Sequence, residues 1–213
     1  MNQKRKVVNE LLKWYKINAR RFPWRRKKYP LYKLLVCEIF LWKTRADSVS
    51  KLIKEFFSKY PHPNYIRDSS KTTIVKDIKS LGLSTRRAKM LKKVFSNYND
   101  RRIQKDEQGF RARFKVGQYI GRSVLSIYYD KNLLPVDQNI YRLIRRIFDY
   151  DIKNIRKVIS QDEAFLSDFI TYGGKEIIWA MIDYASIVCK EVKPKCLNCC
   201  VKKYCEYFKM NAI

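Results

Sequence analysis

Cys189, Cys196, Cys199 and Cys205 stand in the pattern C-x6-C-x2-C-x5-C, and no other feature of this sequence narrows its structure as much. Four thiolates in one short loop can hold zinc or an iron–sulfur cluster. Zinc ribbons pair two tight C-x-x-C knuckles, and this loop has only one tight pair. The N-terminal stretch has no apolar core or small-residue cleavage site of a secretory signal, so the chain reads as intracellular and its thiols as ligands rather than disulfides. Cys200 is an extra neighbour of the set, and Cys37, inside an apolar helix, reads as a small buried hydrophobe.

Charge narrows the partner. The chain has 213 residues, with 47 Lys and Arg against 20 Asp and Glu, and 47 − 20 gives +27. A surplus of that size is the footprint of a protein that binds a polyanion. It peaks at Arg20, Arg21, Arg25, Arg26, Lys27 and Lys28 around Trp24, at Arg86 to Lys93 after Gly82, and at Arg111, Arg113 and Lys115 before Gly117. These clusters sit at turns rather than beside an apolar face, which disfavours an acidic membrane as the partner. No segment reaches the roughly 18 apolar residues of a spanning helix.

The hydrophobic pattern is helical nearly throughout. Stripes run through Val7, Val8, Leu11, Leu12 and Tyr15; through Leu34, Leu35 and Ile39 to an end near Lys43; and through Val49, Leu52, Ile53, Phe56 and Phe57. Others cover Ala88 to Phe95, Val116 to Tyr129, Ile140 to Ile147 and Ile177 to Ala185. Asp137 is placed to cap the helix that follows it. Gly and Pro total 12, too few for a loop-rich β architecture. The fold class is all-α.

RFPWR at Arg21 to Arg25, EIFLWKT at Glu38 to Thr44, IKSLGLSTRRAKML at Ile78 to Leu91, VGQY at Val116 to Tyr119, PVDQNIYRLIRRIF at Pro135 to Phe148 and the cysteine loop together cover about Phe22 to Tyr207. This set resembles the helix-hairpin-helix (HhH-GPD) DNA glycosylases of the endonuclease III and MutY superfamily, and is most similar to the archaeal Mig-type G:T mismatch thymine glycosylases. The resemblance implies two helical lobes flanking a DNA cleft. A six-helix barrel with the hairpin would span 28–133. A cluster lobe would combine 1–27 and 134–213, with the cluster loop at 189–205. It also implies a [4Fe–4S] cluster on Cys189, Cys196, Cys199 and Cys205, holding the basic Lys190, Lys193 and Lys195 against a phosphate backbone.

By the same resemblance, Asp137 is the catalytic carboxylate, stabilising the positive charge that develops on the sugar as the N-glycosidic bond breaks and helping to activate water. Asn139 holds that carboxylate. Glu38, costly in the middle of LLVCEIFL unless it has a functional or hydrogen-bonded reason, faces the flipped base. Tyr119 stands where bifunctional relatives carry the Schiff-base lysine, which implies a monofunctional glycosylase without efficient abasic-site lyase activity. Trp42 and Lys43 enter the gap in the duplex, joined in DNA binding by Arg86 and by the hairpin residues Lys115, Val116, Gly117 and Gln118. The hairpin departs from the usual L-P-G-x-G: Lys115 replaces a glycine expected at φ > 0, a modest strain that a direct phosphate contact would offset.

Base choice is left to analogy. The absence of an 8-oxoguanine-reading domain after Cys205, together with Trp42-Lys43 in place of a Gln-Gln pair, points to thymine or uracil opposite guanine. The alternative is a MutY-like adenine glycosylase acting on A:G or A:8-oxoguanine, and a third reading is a catalytically weak DNA-binding relative. The expected partner is double-stranded DNA with a mismatched or damaged base, bound by a cytoplasmic, nucleoid-associated monomer.

Overall fold

The computed structural model describes residues 2–26, 28–96, 98–99 and 103–211; Lys27 of the first basic cluster lies outside them. Among the described residues there are twelve α-helices and no strand. They are α1 (Gln3–Asn18), α2 (Leu31–Leu41), α3 (Ala46–Lys59), α4 (Pro63–Asp68), α5 (Lys71–Asp77), α6 (Ser84–Phe95), α7 (Glu107–Phe114), α8 (Gln118–Tyr129), α9 (Gln138–Phe148), α10 (Ser160–Gly173), α11 (Glu176–Ile187) and α12 (Glu206–Asn211). None is long and apolar enough to cross a membrane. The chain forms two compact units, Met1–Arg20 with Asp130–Ile213, and Arg21–Tyr129.

The first unit contains α1 and α9 to α12. Val7, Val8 and Leu11 of α1 pack on α10 and α11, and Ile140, Leu143, Ile144 and Ile147 turn the apolar face of α9 toward α11 and α12. Full burial of each such side chain contributes about 1.5–3 kcal/mol. Gly173 permits the close approach of α1: a Cβ there would stand 2.9 Å from Val8 Cγ1 and 2.8 Å from Ile177 Cβ. Gly174, at φ 57°, ends α10 in the left-handed region. Fully buried Asp183 accepts from the Arg20 backbone N–H at 3.0 Å and its Nε at 2.7 Å, tying the exit of α1 to α11.

Among the described residues the second unit contains α2 to α8. The short α4 and α5, of six and seven residues, are too brief to write a periodic stripe. Helix α2 is its axis, buried from Leu31 through Phe40 except at half-buried Lys33, and packed on α3, α6 and α8. The PWR turn at Pro23–Arg25 lies against α2, with Phe22 and Trp24 stacked at 4.8 Å, so Arg21–Arg26 belongs with this unit. Helix α2 ends at Leu41, two residues before its expected end, because Lys43 is left-handed at φ 53° and the Thr44 N–H returns to Leu41 O. Helix α8 begins at Gln118 rather than Val116, since Lys115 at φ 52°, ψ 41° closes α7 immediately before it.

Candidate active site and cysteine-lined cavity

In the first unit the chemistry gathers on α9. Asp137 is its N-cap: Oδ1 accepts from the Ile140 backbone N–H at 2.8 Å, and Oδ2 accepts from Asn139 Nδ2 at 3.0 Å. Both carboxylate oxygens are thereby oriented. The capping role and a catalytic role coexist, since each oxygen has a second lone pair. The Asn139 carbonyl accepts from Arg142 Nη2 at 3.1 Å, and Arg142 also donates to Ala185 O at 2.9 Å and Cys189 O at 3.0 Å. Two side chains, Asn139 and Arg142, thus connect the half-buried carboxylate to the first cysteine of the loop.

One turn on, Arg146 donates to Lys190 O at 2.6 Å and Glu191 O at 3.1 Å, approaches Cys189 Sγ at 3.6 Å and covers the Tyr207 ring at 4.8 Å. The loop that carries exposed Lys190, Lys193 and Lys195 is therefore fastened to α9 through its backbone, leaving the ammonium groups outward. Lys193 is left-handed at φ 52°.

Cys189, Cys196, Cys199 and Cys205 line one cavity of about 350 Å³, its open mouth included, with Tyr184 and Val201 in the wall. Tyr184 donates to Cys199 Sγ at 3.0 Å and accepts from the Cys200 backbone N–H at 2.9 Å. Cys200 Sγ lies 3.4 Å from the Tyr184 hydroxyl and 3.8 Å from Glu10 O. Burial, with repulsion from neighbouring thiols, raises the Cys196 thiol and pushes Cys205 up to about 11. Four thiolates here require a compensating cation. Among the described residues no three His, Cys, Asp or Glu side chains form a group ready to hold a metal ion.

In the second unit, Glu38 is buried within α2 at 3% exposure. Tyr119 is half-buried in the first turn of α8. Of the hairpin residues, Lys115 and Gly117 are exposed, whereas Val116 is buried and its N–H is bound to Arg111 O at 3.3 Å. The Gln118 side chain is buried and donates to Glu107 Oε1 at 2.8 Å, while Glu107 Oε2 accepts from buried Arg122 Nε at 2.9 Å. Any contact that Val116 or Gln118 makes to a ligand therefore falls to the backbone. Arg86 lies over the Trp42 ring at 4.5 Å and Lys43 at 5.8 Å, which gathers three of the expected DNA contacts. Exposed Leu83, left-handed at φ 46°, occupies the turn just before Arg86.

Residues 36–163 match the family model described as HhH-GPD superfamily base excision DNA repair protein. The chain belongs to this superfamily. It is 33% identical to the thymine/uracil-DNA glycosylase of Methanothermobacter thermautotrophicus over 97% of this chain and 96% of that one. The thymine/uracil-DNA glycosylase of Pyrobaculum aerophilum is 29% identical over 91% of this chain and 87% of its own. The solved structure of a thermostable thymine-DNA glycosylase superposes with a TM-score of 0.86 at 31% identity, covering 98% of both chains.

Within this HhH-GPD protein, sequence reasoning overlooked Arg142, Arg146, Tyr184 and Leu83. The two arginines had a faint signature, an i, i+4 pair flanking the strongly amphipathic stripe of α9. Tyr184 and Leu83 had none, because a tyrosine on an apolar helix and a leucine after glycine are ordinary in any helical protein.

Proposed function

We propose that the chain is a monofunctional DNA glycosylase that hydrolyses the N-glycosidic bond of thymine or uracil opposite guanine, after the base is extruded from the duplex. The observation that carries this reading is the Asp137 carboxylate, held by the Ile140 N–H and the Asn139 amide at the start of α9, in a chain similar over nearly its whole length to a thymine/uracil-DNA glycosylase. Breaking the bond makes the sugar cationic. A carboxylate fixed before the reaction stabilises that charge at no reorganisation cost and can orient the attacking water. Glu38 hydrogen-bonds the extruded base, with Tyr119 beside it, and a phenol at that position forms no Schiff base with the sugar. Trp42, Lys43 and Arg86, with Leu83 added by the structure, present an aromatic, cationic and apolar surface suited to a disrupted base step. Lys115 and Gly117 in the hairpin, together with Lys190, Lys193 and Lys195, supply the phosphate contacts.

The cysteine-lined cavity holds a [4Fe–4S] cluster on Cys189, Cys196, Cys199 and Cys205. Four cysteines that line one cavity with a single tight C-x-x-C pair suit a cluster better than a zinc ribbon, which pairs two such knuckles. Bound by these four cysteines, the cluster would supply covalent crosslinks that shape the basic loop.

Duplexes holding G:T, G:U, A:G and A:8-oxoguanine, treated with alkali after incubation, test the reading. Strand scission at G:T and G:U alone supports it; scission at the adenine pairs assigns adenine removal instead, and none at any pair leaves a DNA-binding relative. Asp137→Asn is expected to abolish base release while sparing binding, and undiminished turnover would overturn the assignment of that residue. Borohydride is expected to trap little covalent adduct.

A further inference from the structure

Arg87 is the largest side chain buried to under 2% exposure, at 1% in α6. Its guanidinium donates to Leu81 O at 2.9 Å and to Gly82 O on one side. On the other it donates to Phe40 O at 3.2 Å, Trp42 O at 2.6 Å and Thr44 Oγ1. All five acceptors are neutral. A buried cation without a carboxylate is expensive, and burial lowers the Arg87 pKa accordingly. What it obtains in return is the ends of two backbone segments: the last carbonyls of α2 and those of the turn Lys79–Leu81. Thr44 Oγ1 adds a direct link to Leu81 O at 3.4 Å.

Both segments are strained just beyond the grip. Lys43 follows Trp42 at φ 53°, and Leu83 follows Gly82 at φ 46°; neither is a glycine. Such conformations are costly for residues with a Cβ and persist only where the surroundings over-determine them. Arg87 donates to the carbonyl of the residue before each, Trp42 O and Gly82 O, and so joins the two turns through one guanidinium. The side chains these turns carry, half-buried Trp42 with Arg86 stacked on it and exposed Leu83, are those assigned above to a disrupted base step.

We propose that Arg87 is a positioning residue for mismatch recognition, its buried guanidinium locking the Trp42-Lys43 turn and the Gly82-Leu83 turn into one rigid reader of the base pair being opened. The inference rests on the proposed function. Neither turn alone distinguishes a mismatch from a paired step; a fixed spacing between an aromatic and an apolar wedge does, because only a weakened step opens to that width at low cost.

The test is competition binding of the whole protein to otherwise identical duplexes holding a G:T mismatch or a G:C pair. Arg87→Lys keeps the charge but cannot span both turns, and Thr44→Val removes one acceptor while leaving Arg87 in place. Arg87→Lys is expected to lower the preference for the mismatch about tenfold, and Thr44→Val to lower it less, with affinity for the paired duplex changed less than twofold. The preference is a ratio per folded molecule, so a purely structural role would lower the melting temperature and leave the ratio alone. An unchanged ratio in Thr44→Val and in whatever Arg87→Lys protein folds overturns the inference. Trp42→Ala and Leu83→Ala separate it from the reading beneath. If they lower the preference and the Arg87 and Thr44 variants do not, only the Arg87 role fails. If they too leave it unchanged, or the wild type shows no preference, the assignment of these turns fails and the Arg87 role with it.

Discussion

Replacing Arg142 with lysine isolates the link between the Asp137 carboxylate and the cysteine loop. The guanidinium reaches three acceptors: Asn139 Oδ1 at 3.1 Å, Ala185 O at 2.9 Å and Cys189 O at 3.0 Å. An ammonium on a shorter lever satisfies one. Two lost hydrogen bonds at a net ~1 kcal/mol each give a destabilisation of about 2 kcal/mol. For a chain of this size that lowers the melting temperature by roughly 4–8 °C. The effect on chemistry has a different origin. Asp137 keeps its bond to the Ile140 N–H at 2.8 Å, but Asn139 is freed to rotate, and Oδ2 loses the partner that fixes its plane. Displacement of a reacting group by an ångström costs as much as ~100-fold, so a partial loosening is expected to slow base release by roughly 10- to 100-fold. The assay is single-turnover base release at saturating enzyme, measured beside a thermal melt and duplex binding. The expected variant binds DNA normally, melts several degrees lower and releases base slowly. A melting shift of the expected size with base release within twofold of wild type would refute the claim that the link acts on the carboxylate.

Three further outcomes are expected. Cys199→Ser should remove the visible colour of the purified protein and most of its iron and acid-labile sulfide; stoichiometric zinc with no sulfide in the wild type would contradict the cluster. Asp77→Asn should destabilise the fold by about 1 kcal/mol at neutral pH, because hydrogen bonds from Lys59 at 2.8 Å and the Tyr60 hydroxyl at 2.7 Å outweigh burial and hold the Asp77 carboxyl below its ordinary value. A depressed folded pKa stabilises above the unfolded value of about 3.9 and is lost as the pH falls through the folded one, so the gap between wild type and variant should close in acid denaturation below that value, and a pH-independent gap would contradict the assignment. Duplex affinity should fall steeply between ~50 and ~200 mM salt, as the +27 surplus requires, and a flat dependence would contradict a phosphate-dominated interface.

What the sequence made legible follows from how each feature is written in it. Apolar stripes repeat, so α1, α3, α6, α9 and α11 could be read directly, and a carboxylate before the stripe of α9 announced its cap. Lys115 could be placed in the left-handed region because a glycine was expected there, and the structure has it at φ 52°. Helices α4 and α5 stayed hidden because they last barely two turns. Gln118 illustrates a different limit. The resemblance places it among the hairpin's DNA contacts, and Glu107, eleven positions earlier, takes its side chain, which leaves such a contact to the backbone. A competition between a ligand and a distant carboxylate leaves no local pattern.

Arg87 and Arg142 were illegible for a common reason, which also explains their importance. In a sequence with 47 basic residues, a basic side chain is by default a surface charge or a phosphate contact. These two instead spend their guanidinium groups mainly on backbone carbonyls, at the ends of α2 and α11 and in the turns beside them. Carbonyls are present at every residue, so no partner in the sequence marks the pairing. Yet a planar fork with five donors is the side chain best able to hold several carbonyls at once, and helix C-termini offer carbonyls without intrahelical partners. In a chain selected for positive charge, the same residue type is therefore available for two physically distinct tasks. Exposed lysines such as Lys190, Lys193 and Lys195 are free to follow the phosphate backbone proposed for them, while buried Arg87 and half-buried Arg142 hold backbone turns in place. Lysine for arginine is close to neutral in the first task and costly in the second, which makes that substitution, applied across the basic residues, a direct way to sort contacts from supports.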